Sequence, residues 1–388
     1  GAGKEFATVV AVSFMNCLVM GFVVSLLYVF ALRLGSGVKA SFAAAVIFGL
    51  CTMAWPYSKT FFTEPLASLF LLLSVFVLVT ADRERATGAC LASGAFMALA
   101  MLTRYELVVT SVFWGLAVLW LFPGARIKSL FFWGLPMLAA GVGQLLFNLW
   151  RFGGLLDFGY RTETFSSSMI EGFTGMIFST GKGILFFSPV VLLGIAGLPA
   201  LWKKSRPAAA FCIALPLGSL LLYSKWNLWG GDLSWGPRYL VSALPFLFLP
   251  AAFYLRNVFS GKSVAGRAFV YLLVAVSLPV QALAVSVNFH HYTDILDKVP
   301  ELYEHIEDDR PLLHKFYYDP AYSPIIAHAE MARIAVTGDP RSKMLNPSEV
   351  PAVKETIREL AVLDFWVLFY AKKFSGKQRA AVIAFWVE

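Results

Sequence analysis

The chain has 388 residues, of which 58% are hydrophobic and 14% are charged, and its formal net charge is +8. Soluble domains carry roughly a quarter of charged residues, so this composition excludes an ordinary soluble domain. The lysines and arginines are spread over short turns and form no basic stripe, which argues against nucleic acid as a partner.

Apolar segments of about 18 residues recur along the chain, and a helix of that length crosses the roughly 30 Å hydrocarbon layer of a bilayer. We therefore predict an all-α polytopic membrane protein with about ten spans in a lipid bilayer. The predicted spans are 6–33, 40–56, 62–80, 88–103, 105–122, 129–149, 187–202, 207–224, 238–255 and 268–288.

The turns between these spans alternate in character. One set is short and basic, and the positive-inside rule makes it cytoplasmic. The other set is longer, aromatic and mixed in charge, and is predicted to face the outside. The basic turns are 33–39, 82–88, 123–128, 203–206 and 256–267.

This alternation places residue 1 outside, so we expect at least one further span and one outer loop upstream of it. Residues 1–289 are predicted to form the membrane domain. Residues 290–388 are more polar and are predicted to form a small extracytoplasmic region, helical around 348–360. The last apolar run, 380–388, resembles the start of another helix.

Unusual polar and aromatic residues gather in the predicted outer turns. Charged groups at membrane depth cost roughly 2.5–3.5 kcal/mol, so they tend to line cavities. The candidates outside the loop KWNLWGGDLSWGPRYL are Glu64, Arg104, Arg151, Tyr160 and Lys182. Those inside that loop are Lys225, Trp229, Asp232, Trp235, Arg238 and Tyr239.

Simpler explanations exist for several of these residues. Glu64 before Pro65 suits a helix N-terminus, where an acid meets the positive end of the helix dipole. Trp229 could belong to an aromatic belt at the headgroup level. Arg151 could reach lipid headgroups along its aliphatic stem.

Taken together, the candidates combine cations, aromatic platforms and carboxylates at one membrane face. Tryptophan packs against sugar rings, and phosphate is held by arginine, lysine and backbone N–H groups near glycines. A lipid-linked sugar phosphate needs this combination. Nucleotide sugars are not supplied outside the cytoplasm, so a sugar donor there must arrive on a lipid carrier.

Five segments resemble the GT-C superfamily of integral-membrane glycosyltransferases, which includes the protein mannosyltransferases and the aminoarabinose transferases of lipid A. The resemblance covers most of residues 40–330. The segments are FFTEPLASLFLLL, NLWRFGGLLDFGY, TGKGILFFSPVVLL, WNLWGGDLSWGPRYLVSALPFLFLP and DPAYSPIIAH.

The resemblance implies a polyprenyl-phosphate-sugar donor, a glycan, lipid or protein acceptor, and an inverting transfer on the outer face of a bacterial cytoplasmic membrane. It leaves open whether a divalent cation such as Mg²⁺ or Mn²⁺ takes part. The family's usual catalytic acid lies in the first outer loop, which we expect upstream of residue 1.

Roles for the residues present follow from the resemblance. Glu64 matches the family's second acid, and Asp232 is the candidate for hydroxyl recognition or for the base. Arg238, with Lys182 and Arg151, would hold the carrier phosphate. The sugar would pack on Trp229 and Trp235, and the predicted binding set is completed by Arg104, Tyr160, Lys225 and Tyr239.

Three other functions remain open at this point. A flippase or transporter of a lipid-linked or anionic solute would place ionisable residues near the middle of the bilayer, often in repeated halves. An oligosaccharide polymerase or ligase would share the carrier and use a diphosphate donor. A scaffold subunit without activity would need no chemistry in these turns.

Overall fold

The structure is a computed structural model, and the regular secondary structure of the residues that it describes is helical, without strands. The described residues are 2–82, 84, 86–159, 164–231, 234–261, 263–296, 298, 317–346 and 351–363. The α-helices, in chain order, are α1 (Ala2–Arg33), α2 (Val38–Cys51), α3 (Ala54–Ser58), α4 (Glu64–Thr80), α5 (Ala86–Thr103), α6 (Ser111–Leu121), α7 (Arg126–Phe152), α8 (Met169–Phe178), α9 (Ile184–Phe187), α10 (Val191–Lys204), α11 (Arg206–Ser224), α12 (Leu244–Phe248), α13 (Ala251–Ser260), α14 (Val264–Ser286), α15 (Phe289–Leu296), α16 (Pro324–Thr337) and α17 (Pro351–Leu360). Short 3₁₀ helices span Tyr105–Thr110, Arg238–Ala243 and Pro320–Tyr322.

Six helical segments of the described part are long and apolar enough to cross a membrane. They are Phe14–Arg33, Ala86–Thr103, Arg126–Phe152, Arg206–Ser224, Arg238–Ser260 and Val264–Ser286. Each coincides with one predicted span, so the prediction of a helical membrane protein is supported. The other four predicted spans are shorter helices, for example α4 with 17 residues and α10 with 14, and the count of ten stays a prediction.

The seventh predicted span begins later than the hydrophobic pattern indicated. The helical conformation is interrupted around Pro189, and α10 begins only at Val191, because proline has no N–H to continue a helix. Two polar side chains of α14 form hydrogen bonds with backbone groups beside Pro189. Ser277 Oγ accepts a 3.2 Å hydrogen bond from the Val190 N–H, and the Gln281 amide donates to the Phe187 carbonyl.

The basic turns and the aromatic turns lie at the two ends of the helix bundle. At one end, Arg256 donates a 2.6 Å hydrogen bond to the Gly35 carbonyl and so joins two basic turns. At the other end, the Tyr57 hydroxyl donates to the Trp235 carbonyl at 3.0 Å and joins two aromatic turns. These two contacts are consistent with the predicted division of the turns, and both that division as a whole and the assignment of each end to a side of the membrane stay predictions.

The aromatic end carries a helix that the sequence pattern did not indicate, α8. Its Gly172 and Gly175 lie on one face and allow close packing. A Cβ at Gly172 would lie 2.3 Å from the Ser224 carbonyl oxygen, and one at Gly175 would lie 2.2 Å from the Trp229 ring. The two glycines three residues apart are the signal that could have predicted this contact.

Residues 317–337 pack on the same end of the bundle. The Tyr317 and Trp229 rings lie 4.6 Å apart, and Ser323 Oγ donates a 3.0 Å hydrogen bond to the Thr180 carbonyl. Helix α17 lies within the stretch where a helix was expected. The run 380–388 lies outside the described residues.

Candidate functional site

Glu64 begins α4 and is buried, with 1% of its surface exposed. Pro65 follows it at the first turn, where proline suits a helix start and an acid faces the positive end of the helix dipole. The Oε1 atom of Glu64 accepts a hydrogen bond from Arg104 Nη1 and lies 3.2 Å from Arg238 Nε. Its Oε2 atom is buried and has no hydrogen-bond partner in the part of the chain that the structure describes.

Arg104 lies in the turn after α5, and its guanidinium bonds to three protein groups. Besides Glu64, its Nε donates to Glu106 Oε1 at 2.7 Å, and its Nη2 donates to the Tyr223 hydroxyl at 3.2 Å. The Tyr223 hydroxyl in turn donates to Glu106 Oε1 at 2.8 Å. A buried cation held by two carboxylates and a phenol is a rigid support.

Arg238 begins the 3₁₀ helix Arg238–Ala243, whose first residues are the end of the loop KWNLWGGDLSWGPRYL. Although its Nε lies near Glu64, the geometry is not that of a hydrogen bond, and its guanidinium donates none to the described residues. The Arg238 side chain is 20% exposed, against 10% for Arg104. The guanidinium lies 4.8 Å from the centre of the Phe62 ring and 5.2 Å from that of Tyr239. Arg238 is therefore the arginine with donors to offer a ligand.

Stacked aromatic rings form one wall beside these charges. The Tyr223 and Tyr239 rings stack with centres 4.2 Å apart and an interplanar angle of 9°. The Arg104 guanidinium lies 5.4 Å from the Tyr239 ring centre. Contacts of cations with the faces of aromatic rings hold both groups in place.

These groups line a cavity of about 290 Å³, which we call the Glu64 pocket. This volume is near the lower end of the range for small-molecule sites. Besides Glu64, Arg104, Glu106, Arg238 and Tyr239, the lining residues are Phe61, Phe62, Thr63, Thr103, Tyr105, Trp226 and Leu228.

A second cavity of about 370 Å³ lies beside the first, and Phe61 and Phe62 line both. Its described lining residues include no carboxylate and are largely aromatic, with Lys59 and His290 as the basic members. The other residues of its lining are Pro56, Tyr57, Lys59, Thr60, Ser234, Trp235, Ala284, Val287, Asn288, Phe289 and His290. The strip of chain around Phe61 and Phe62 is thus a wall between two cavities.

Four of the predicted site residues come together in the Glu64 pocket: Glu64, Arg104, Arg238 and Tyr239. A fifth, Trp235, lines the second cavity. Residues from three separate segments of the chain therefore meet at one end of the bundle.

Two predicted residues are exposed or half-exposed elsewhere. Arg151, in the last turn of α7, is exposed and lies over the Phe152 ring at 5.2 Å. Lys225 follows α11, and its carbonyl accepts a 3.1 Å hydrogen bond from the Ser167 N–H. Neither residue lines the Glu64 pocket or the second cavity.

Two others are buried in the protein interior. Lys182 Nζ donates a 2.6 Å hydrogen bond to the Ser234 carbonyl, and Trp229 packs against Tyr317. Neither lines the two cavities. Asp232 and Tyr160 lie outside the described residues, so the roles predicted for them stay predictions.

Glu106, Tyr223 and Phe62 are not among the residues predicted from the sequence to form the site. Glu106 could have been recognised from the sequence, since it lies two residues from Arg104 in an otherwise apolar stretch. Tyr223 ends a long apolar helix and could not have been recognised, because its partner Arg104 is 119 residues away in the chain.

The described residues contain no group of three or more histidine, cysteine or acidic side chains that could hold a metal ion. Glu64 and Glu106 are two carboxylates, and the Arg104 guanidinium bonds to both. Two carboxylates are few for a divalent cation, which takes roughly six or more oxygen ligands, so the involvement of such a cation stays a prediction.

Comparisons of the chain with protein-family models, with curated proteins and with solved structures found no match. The resemblance to GT-C glycosyltransferases therefore rests on the five quoted segments.

Proposed function

We propose that this protein is a membrane glycosyltransferase that moves a sugar from a polyprenyl-phosphate carrier to a glycan, lipid or protein acceptor. The observation that carries the proposal is the state of Glu64. One of its oxygens lies between two arginines, and the other is buried at the edge of a pocket without a hydrogen bond to any described residue. An unsatisfied buried acceptor costs about 1–3 kcal/mol, so a ligand donor is its natural partner.

Arg238 would bind the carrier phosphate. In the donor the phosphate links the sugar to the lipid and carries one negative charge, and a second charge develops as the bond to the sugar breaks. Fixed cations at a position where charge develops lower the barrier. Arg238 suits this role because its guanidinium is partly exposed and donates no hydrogen bond to the described residues.

Arg104 would position the carboxylates, since Glu64, Glu106 and Tyr223 already take its donors. A phosphate that bound to the Arg104 guanidinium would have to compete with these three contacts. This assignment differs from a simple pair of phosphate-binding arginines, because Arg104 is already bonded to three protein groups and Arg238 donates no hydrogen bond to the described residues.

Glu64 would accept the proton of the acceptor hydroxyl. The hydroxyl oxygen forms a bond to the anomeric carbon of the sugar, the bond from that carbon to the phosphate oxygen breaks, and the configuration inverts. The proton passes to Glu64, and polyprenyl phosphate leaves with the bonding electrons. As Arg238 turns towards the phosphate, Glu64 loses part of its counter-charge and becomes a stronger base.

The position of the pocket favours a transferase over a transporter. The Glu64 pocket lies among the aromatic turns, at the end of the bundle away from the contact between Arg256 and Gly35. If the basic turns are cytoplasmic, the pocket faces the outside, in keeping with ten spans and a site on the outer face of a bacterial cytoplasmic membrane. Transporters more often hold their substrate near the midplane.

A donor screen tests the proposal. The full-length protein in nanodiscs is supplied with polyprenyl-phosphate monosaccharides, with polyprenyl-diphosphate oligosaccharides and with a mixture of acceptors. Release of polyprenyl phosphate from one monosaccharide donor, with the sugar recovered on an acceptor, would support a transferase. Release of diphosphate would instead indicate a polymerase or ligase.

A further inference from the structure

Asn16 is a buried polar residue on a membrane-spanning helix, with 1% of its surface exposed. Its Nδ2 donates a 2.7 Å hydrogen bond to the Thr60 carbonyl and a 2.8 Å hydrogen bond to the Phe62 carbonyl. Both partners are acceptors, so the NH₂ group must face them. A polar side chain inside a span is costly and commonly has a specific task.

The neighbouring residue on α1 takes part in the same contact. Cys17 Sγ lies 3.2 Å from the Ser58 carbonyl oxygen. The carbonyls of Ser58, Thr60 and Phe62 therefore all face α1, between the end of α3 and the start of α4. Phe61 lies between two of these anchors, is 65% exposed and lines both cavities.

The anchored strip leads directly to the charged groups of the pocket. The Phe62 ring lies 4.8 Å from the Arg238 guanidinium, which lies 3.2 Å from Glu64 Oε1. Glu64 itself follows Phe62 by two residues and begins α4. The position of this strip relative to α1 thus influences both Arg238 and Glu64.

Given the transfer reaction proposed above, we infer that Asn16 is a positioning residue for it. Asn16 holds residues 60–62 against α1, which fixes the Phe62 ring beneath Arg238 and aligns Arg238 with the carrier phosphate. Misplacing a binding group by about 1 Å can cost on the order of a hundredfold in rate. Asn16 acts through Phe62 and touches neither substrate.

Three variants of Asn16 separate hydrogen bonding from packing. Asn16→Leu has a similar size and no donor, Asn16→Asp places a carboxylate against two carbonyls, and Asn16→Gln keeps the amide. We expect the first two to raise the KM for the donor about tenfold or more, with the acceptor KM unchanged, and Asn16→Gln to retain most of the affinity. The control is Ser25→Ala on the same helix, whose hydroxyl bonds only within α1. Equal losses in all three Asn16 variants would show a packing role and overturn the inference.

A double-variant cycle tests the path through Arg238. If Asn16 acts through this arginine, the effect of Asn16→Leu on donor KM shrinks in an Arg238→Lys background. Independent, additive effects would contradict the inference. If the wild type is active and Asn16→Leu leaves the donor KM unchanged, only the role of Asn16 is rejected. If the wild type has no transfer activity, the proposed function itself is rejected.

A labelling experiment follows the strip itself without requiring activity. In a Phe61→Cys background, we expect Asn16→Leu to change the rate of maleimide labelling at position 61 severalfold, read by mass spectrometry, and Ser25→Ala to leave it unchanged. An unchanged rate in Asn16→Leu would show that Asn16 does not hold the strip.

Discussion

Arg104 donates a hydrogen bond to Glu64 across the open end of the hairpin formed by α4 and α5. The two residues are 40 positions apart in the chain, and the turn 81–85 joins the other ends of the two helices. Arg104 also binds Glu106 on the following 3₁₀ helix, so one guanidinium ties three segments together. The Glu64 pocket is therefore built where the hairpin opens.

Replacing Arg238 tests the phosphate site. We expect Arg238→Gln to reduce kcat/KM for the donor about a hundredfold, because a charge-stabilising donor at the leaving group is lost. Arg238→Lys keeps the charge but lacks the planar guanidinium, so its kcat/KM should lie between those of the wild type and Arg238→Gln. The matched control is Arg267→Gln, an exposed arginine of a basic turn, which should match the wild type. Steady-state kinetics with a defined donor provides the measurement.

Replacing Arg104 tests its supporting role. Arg104→Met leaves the buried carboxylates without their main cation, and breaking a buried ion pair in this way costs roughly 3–5 kcal/mol. We expect a lower melting temperature in detergent. Adding Glu64→Gln to Arg104→Met should recover part of the loss, since one uncompensated charge is removed. A double variant that melts below Arg104→Met would contradict this description of the network.

The packing of α7 on α5 depends on a glycine. A Cβ at Gly94 would lie 2.0 Å from the Trp133 carbonyl oxygen, so Gly94→Ala must move the two helices apart. We expect a loss of about 2 kcal/mol or more in the free energy of unfolding. Gly88→Ala on the same helix, where a Cβ would meet nothing within 4 Å, should be neutral or stabilising. Equal stability of the two variants would exclude this contact.

His328 makes stability depend on pH. The residue is buried among the Trp235, Phe289 and Tyr292 rings, and burial lowers its pKa to about 3. The unfolded chain binds the proton near pH 6.5, so between pH 6.5 and pH 3 the unfolded state holds more protons than the folded state. The contribution is therefore fully present above pH 6.5 and declines as the pH falls towards 3.

From pH 7 to pH 5 this loss amounts to about 2 kcal/mol for one such histidine. Thermal unfolding at both pH values measures it. We expect His328→Phe, which cannot take up a proton, to lose less stability over the same interval than the wild type. The same decline in both proteins would show that other groups cause it.

Hydrophobic segments predicted the helices well, because length and apolar content alone decide whether a segment can cross a membrane. The predicted helix ends were less accurate where a helix is interrupted and side chains of another helix bond to the backbone at the interruption. The break at Pro189 depends on Ser277 and Gln281 of α14, and no local pattern near position 189 reveals those partners. Helix α8 was missed because it is short.

The candidate site was predicted in part. Glu64, Arg104 and Arg238 stand out in the sequence because charged residues are rare beside apolar segments. Which of them meet is a matter of tertiary structure, and so is the difference between Arg104, which bonds to three protein groups, and Arg238, which donates no hydrogen bond to the described residues. The burial of Trp229 and Lys182 could not be predicted either, since both lie in a polar, aromatic loop region and are covered by residues far away in the chain.

The central claim is that the Glu64 pocket carries out sugar transfer, and one comparison tests it most directly. Wild type and Glu64→Gln are assayed in the same nanodiscs for release of polyprenyl phosphate from the donor found in the screen. We predict release by the wild type and a decrease of at least about a hundredfold in Glu64→Gln, with the donor still bound. Undiminished release by Glu64→Gln, or no release from any donor together with movement of intact labelled lipid across a bilayer, would contradict the claim.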